Sequence, residues 1–200
     1  SSSSAASDVY KRQAMTGWAA TPELALIVYK TIQTEKPATI VELGSGVTTV
    51  VSAYALEKFS PDGSIISFDH DPDFAEKTRN ELQLHNLQSY VNILDAPLVP
   101  NQINGTERQW YDIDFTKIHK AIDLLIIDGP PLKTQKNARY PALPAFYPKL
   151  ADKAVIILHD TNRQTESSTI ETWINEYPDL TKSSLRTEKG IAIFRRKPKS

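Results

Sequence analysis

Apolar positions along this chain fall into short β-branched runs separated by stretches of helical period. Thr39-Ile40-Val41-Glu42-Leu43 reads as a buried strand, because a strand covered on both faces is continuously rather than alternately apolar. It stops at Gly44-Ser45-Gly46, and Val47 to Lys58 then reads as a helix with Val47, Val50, Val51, Tyr54, Ala55 and Leu56 apolar. Upstream, Thr21 predicts an N-cap with Pro22 at the first helical position and Glu23 in the first turn. That helix runs to about Thr34, with Leu24, Leu26, Ile27, Tyr29 and Ile32 on its apolar face. Trp18 ahead of it reads as a hydrophobic staple, with a lid over a ligand as the alternative.

The alternation continues downstream. Pro61-Asp62-Gly63 predicts a turn, Ser64 to Asp69 a second strand, and Asp71-Pro72 the start of a helix ending near Leu84. Tyr90 to Leu94 predicts a third strand, and Ala121 to Asp128 a buried fourth, stopped by Gly129-Pro130-Pro131. Tyr140 to Leu150 predicts a helix, Ala154 to Leu158 a fifth strand, and Ser167 to Tyr177 a helix with Ile170, Trp173 and Ile174 inward. Leu180 to Arg186 and Ile191 to Arg195, joined by Thr187-Glu188-Lys189-Gly190, predict a closing hairpin. Residues 97–120 show no regular period. Within them Asn104-Gly105-Thr106 reads as a turn, and Gln109-Trp110-Tyr111-Asp112 either walls a pocket or covers a sheet edge.

Strands alternating with helices predict an α/β fold: one domain with a mostly parallel seven-stranded sheet, a C-terminal antiparallel hairpin and helices on both faces. Ligands of such sheets bind beyond the carboxyl ends of the strands. Glu42, Asp69, Asp95, Asp128 and His159-Asp160 all fall at those ends.

Composition narrows the function. The 200 residues suit one domain with a sizeable core, and the formal net charge of -1 offers no long-range attraction to nucleic acid or anionic membrane. The chain has no cysteine, which excludes disulfides, thiolate catalysis and cysteine-held metals. No apolar run approaches transmembrane length. The expectation is a cytoplasmic protein acting on a small molecule, without nucleic acid or membrane as partner, and monomeric or homodimeric. Ser3 to Gln13 is the string obtained by translating a transposase adapter used for sequencing libraries, so residues 1–13 are expected to be a non-native, disordered tail and 14–200 the domain.

Chemistry centres on the glycine turn. Strand, glycine turn and helix bring backbone N–H groups and the positive end of a helix to an anionic ligand. A dinucleotide fingerprint would carry a third glycine where this chain has Thr49. Glu42, at the end of an apolar strand, costs desolvation unless a ligand or backbone donor meets it. Asp69, at the tip of the second strand, is placed to accept from ribose hydroxyls, and Asp95 either accepts from an adenine amino group or caps a turn.

Glu42-Leu43-Gly44-Ser45-Gly46 resembles motif I of the class I S-adenosylmethionine-dependent methyltransferases, whose fold is Rossmann-like. Phe68-Asp69-His70-Asp71-Pro72, Asp95-Ala96-Pro97-Leu98 and Asp123 to Pro131 resemble the second, third and fourth motifs. With Arg139-Tyr140-Pro141-Ala142-Leu143-Pro144 and His159-Asp160-Thr161-Asn162-Arg163, the chain looks like a bacterial group related to catechol and caffeoyl-CoA O-methyltransferases. The resemblance implies methyl transfer from S-adenosylmethionine to a small-molecule acceptor, at oxygen. It places the cofactor on Glu42, Gly44, Ser45, Gly46, Asp69, His70, Asp95 and Ala96, with the Ser45 and Gly46 amides at its methionine end. It also implies a divalent cation such as Mg²⁺ on Asp128, Asp160 and Asn162, although Thr161 stands where those relatives carry the asparagine. Asp128, His159, Asp160 and Lys133 would be catalytic, His159 or Lys133 taking the proton; Pro131 stands where a lysine is frequent. An NAD- or nucleotide-binding module, or an N-methyltransferase, are the alternatives.

Overall fold

A computed structural model of the chain describes residues 21–162 and 164–198. The expected tail over residues 1–13 and the role of Trp18 lie outside the described residues. In chain order the elements are α1 (Pro22–Glu35), β1 (Thr39–Leu43), α2 (Val47–Phe59), β2 (Ser64–Asp69), α3 (Pro72–Leu84), β3 (Val91–Asp95), β4 (Leu98–Ile103) and β5 (Thr106–Tyr111). They continue with β6 (Ile122–Ile127), α4 (Ala142–Phe146), β7 (Leu150–His159), α5 (Gln164–Glu176), β8 (Leu180–Leu185) and β9 (Ile191–Arg196).

Seven strands form one sheet in the order β3-β2-β1-β6-β7-β9-β8. The first five run parallel, while β9 is antiparallel to both β7 and β8, as the closing hairpin predicts. The chain builds outward from β1 to β3, then returns to lay β6 on the other side of β1. The switch point therefore lies between β1 and β6, where such sheets open a crevice.

Strand residues divide by period two between two cores. Ile40, Ile65, Ile93, Leu124, Ile126 and Ile157 pack under α1, α2 and α3. Val41, Leu43, Leu125, Ile127, Ile156 and Leu158 face Phe146, Trp173 and Tyr111 on the opposite side. Both faces are covered, which is why these strands read as unbroken apolar runs.

The caps follow the local chemistry. Thr21 Oγ1 accepts from the Leu24 amide at 3.3 Å, and Asp71 Oδ1 accepts from the Asp73 and Phe74 amides. Leu26 and Ile174, expected inward, are 39% and 38% exposed. In α1 the buried stripe is Leu24, Ala25, Val28, Tyr29 and Ile32, which turns Leu26 away from the sheet. The helix expected over Tyr140–Leu150 shrinks to α4 and a 3₁₀ turn at Tyr147–Lys149. Pro148 lacks an amide to continue the ladder, and β7 starts early, at Leu150.

Residues 98–111 are not irregular: β4 and β5 form a separate antiparallel hairpin turned by Asn104 and Gly105, both with positive φ. Asn-Gly is the strongest short hairpin signal. Pro100 in β4 and the polar run Thr106 to Gln109 in β5 hide it, because a two-stranded ribbon outside the main sheet needs no apolar alternation.

Candidate active site

A cavity of about 370 Å³ opens at the switch point, within the range of small-molecule sites, roughly 300–1,000 Å³. Its floor is the turn from Gly44 to Thr48, and its walls include Asp69, His70, Phe74, Tyr111, Asp128 and Arg139. Gly44 has φ +91°, a conformation that a side chain would strain.

The turn is held from below. The Gly46 amide donates to Thr49 Oγ1 at 2.9 Å, and that hydroxyl donates to Glu42 Oε2 at 2.5 Å. Ser67 Oγ donates to the same oxygen at 3.0 Å. Thr49, which replaces the third glycine of a dinucleotide fingerprint, thus links the turn to Glu42. Burial raises the Glu42 carboxyl to about 8, against the opposing effect of the Thr49 and Ser67 hydrogen bonds; the charges of Asp128 and Asp69 add to the rise. Glu42 therefore keeps its proton at neutral pH. It is fully buried, and its Oε1 has no partner among the described residues.

Asp69 ties the second strand to the turn. Its Oδ2 accepts both the Ser45 amide at 2.8 Å and the Ser45 hydroxyl at 2.5 Å, while Oδ1 accepts the Asp71 amide at 3.0 Å. His70 Nδ1 lies 3.6 Å from Asp69 Oδ1, and its ring meets Tyr111 edge-on.

The opposite wall is built by the ends of β6 and β7. His159 is fully buried, and its Nδ1 lies 2.7 Å from Asp128 Oδ1. With Nδ1–H donated to that carboxylate, Nε2 accepts the Thr21 hydroxyl at 3.3 Å. Arg139, only 2% exposed, enters between the two acids. Its Nη2 is 3.3 Å from Asp160 Oδ2 and 3.7 Å from Asp128 Oδ1. Asp160 sits at φ 62°, a left-handed conformation that aspartate tolerates better than most residues.

Of the residues expected at the cofactor, Gly44, Ser45, Gly46, Asp69 and His70 line the cavity. Glu42, Asp95 and Ala96 lie outside its lining. Glu42 supports the turn, the half-exposed Asp95 pairs with Arg79 at 2.7 Å, and Ala96 is buried with its amide on the Asp69 carbonyl. The Ser45 and Gly46 amides are already committed to Asp69 and Thr49, so the unpaired donors of the α2 N-terminus fall to its first turn, at Val47 and Thr48.

Of the catalytic set, Asp128, Asp160 and Lys133 line the cavity and His159 stands behind Asp128. Asn162 is not brought to them: its Nδ2 donates to the Thr187 and Glu188 carbonyls, holding the β8–β9 turn. Two further lining residues are Arg139, which its motif carried without a site role, and Tyr111. Arg139 sits in an irregular loop, and Tyr111 is delivered by the unexpected hairpin. Of the aromatic pair of β5, Tyr111 walls the pocket, one of the two expected roles, and Trp110 is buried in the core.

The residues fit a nucleoside-bearing ligand: a buried carboxylate for ribose hydroxyls, glycines that admit close approach, and apolar contact from Val47, Phe74 and Leu132. The donor set does not fit a divalent cation. Ligand atoms of Asp128, His159 and Asp160 lie within 4.8 Å of one another. However, His159 Nδ1 is paired with Asp128 Oδ1, Asn162 Nδ2 is committed to the β8–β9 turn, and a guanidinium lies between the acids.

The fold and this site define a class I methyltransferase. The methyltransferase-domain family matches residues 41–161, and the chain belongs to that family. No curated protein matches it in sequence. Among solved structures it is similar to an O-methyltransferase from Bacillus cereus in complex with SAH, at 15% identity and a TM-score of 0.72, covering 97% of this chain and 91% of that one. It is also similar to the O-methyltransferase TomG of Streptomyces achromogenes, involved in tomaymycin synthesis and solved with SAM, at 13% identity and a TM-score of 0.69, covering 98% and 89%. A methyltransferase from Geobacter sulfurreducens is similar at 16% identity and a TM-score of 0.67, covering 98% and 89%. At these identities the likeness establishes the fold. Among the described residues no helix is long and apolar enough to cross a membrane.

Proposed function

We propose that this chain transfers a methyl group from S-adenosylmethionine to a hydroxyl of a small molecule. The observation that carries the proposal is one cavity with the Gly44–Gly46 turn and Asp69 on one side and the His159-backed carboxylate of Asp128 on the other. The bound cofactor supplies an electrophilic methyl on a sulfonium centre. Asp69 receives the ribose, and the first turn of α2 receives the anionic end. Asp128 accepts the proton of the acceptor hydroxyl, so the oxygen attacks as its negative charge develops. His159 does not reach the cavity: it fixes the orientation of Asp128 and is itself fixed by Thr21. That the Bacillus and Streptomyces neighbours are O-methyltransferases supports oxygen as the acceptor.

Calorimetry with S-adenosylhomocysteine and NAD, followed by an acceptor screen with labelled S-adenosylmethionine, tests this. Binding of S-adenosylhomocysteine and label on a hydroxyl compound are expected. Binding of NAD with no response to S-adenosylhomocysteine would overturn it.

A further inference from the structure

Asp128 and Asp160 close neighbouring strands, and two carboxylates this near repel unless positive charge lies between them. We infer that Arg139 is that charge: a built-in cation where a divalent metal would sit, making the site independent of metal. The inference concerns the same site as the proposed methyl transfer, but its test needs no acceptor and no turnover.

The guanidinium is fixed by more than the two acids. Nη1 donates to the His159 carbonyl at 2.7 Å, Nη2 to the Asp128 carbonyl at 3.0 Å, and Nε to the Pro130 carbonyl at 3.4 Å. These carbonyls belong to the β6 and β7 ends that carry the acids. Arg139 therefore joins the two strand ends through their backbones as well as their side chains. Moving it aside would leave three carbonyls without this donor and an arginine charge in a 2%-exposed place.

The remaining donors would make a poor metal site even then. Asp128 Oδ1 and His159 Nδ1 are engaged with each other at 2.7 Å, which spends both atoms. Asn162 Nδ2 is spent on the β8–β9 turn, and its Oδ1 lies against Gly190 of the same turn. A divalent ion would find two carboxylate oxygens beside a fixed positive charge, whereas Mg²⁺ and Ca²⁺ take about six or more oxygens, with water completing the set. Arginine suits the place because its planar fork addresses several acceptors at once and stays charged.

The experiment is titration of the purified full chain with Mn²⁺, read by calorimetry and by the electron paramagnetic resonance of free Mn²⁺. It is run on wild type, Arg139→Ala, Arg139→Lys and Asp160→Asn, with circular dichroism as the folding control. Wild type and Arg139→Lys are expected to bind no Mn²⁺ at this site, and Arg139→Ala to gain at least tenfold in affinity. One-to-one binding to wild type that Asp160→Asn abolishes would overturn the inference. So would a folded Arg139→Ala that gains nothing. If Arg139→Ala does not fold, wild type and Arg139→Lys against Asp160→Asn decide the matter alone.

Discussion

Ser45 places its amide and its hydroxyl on a single oxygen of Asp69, at 2.8 and 2.5 Å. One carboxylate thereby anchors the glycine turn to the second strand and faces the cavity at the same time. Asp69→Ala should weaken S-adenosylhomocysteine binding by about tenfold to a hundredfold, the roughly 1.5–3 kcal/mol of a hydrogen bond to a charged group. It should also lower the melting temperature, because the half-buried Ser45 donors lose their acceptor. Ser45→Ala removes one donor and keeps the amide, so its loss of affinity should be smaller. Calorimetry and thermal melts on both variants check the order; equal effects would mean that Asp69 acts through the turn alone.

Glu42 makes stability depend on pH in an unusual sense. Its carboxyl is raised to about 8 in the folded protein from 4.5, so between these values the folded state holds a proton that the unfolded state has released. Its contribution is fully present below about pH 4.5 and is lost as pH rises toward and beyond 8. Glu42→Gln keeps the shape and removes the titration. Thermal melts across that window should show a falling stability in wild type that is flatter in Glu42→Gln; parallel curves would place the proton elsewhere.

Tyr111 carries a buried hydroxyl with no partner among the described residues, and burial raises its pKa well above the usual tyrosine value, so it remains an O–H donor. It is packed so closely on Gly129 that a Cβ there would collide with it. Tyr111→Phe deletes an unsatisfied polar atom and keeps the ring, so the free protein should melt at the same or a higher temperature. If the hydroxyl meets a bound ligand, affinity for cofactor or acceptor falls severalfold in the same variant. A fall in stability with unchanged binding would contradict this assignment.

Asp128→Asn should reduce kcat by about 10²–10⁴, the range ascribed to general acid–base groups, with little change in cofactor affinity. His159→Phe removes the orienting partner and leaves Asp128 in place. It should lower kcat less than Asp128→Asn, since the carboxylate stays in place and loses only the donor that orients it. Steady-state rates of both variants separate the two roles, and a loss of that size with Lys133→Ala instead would move the base to Lys133.

The strands and helices of the main sheet, the glycine turn, and Asp69, Asp128 and Asp160 at strand ends were legible in the sequence, because each is a local fact, whereas the β4–β5 hairpin was not. Strand runs, caps such as Thr21 and Asp71, and a turn of required φ depend on residues within a few positions of one another. Tertiary structure decided what those strand ends share. Arg139 reaches between two acids from a loop without period, and its role exists only once β6 and β7 are neighbours. His159 reads as a base by residue type, yet β7 buries it behind Asp128. Asn162 is a ligand by the family resemblance, yet the carbonyls of the β8–β9 turn claim its Nδ2. Glu42 and Asp95 end strands as Asp69 does, but one lies under the turn and the other pairs with Arg79. Sequence determines which groups arrive at the carboxyl edge of the sheet; the partners each meets there are set by long-range packing, which no local period encodes.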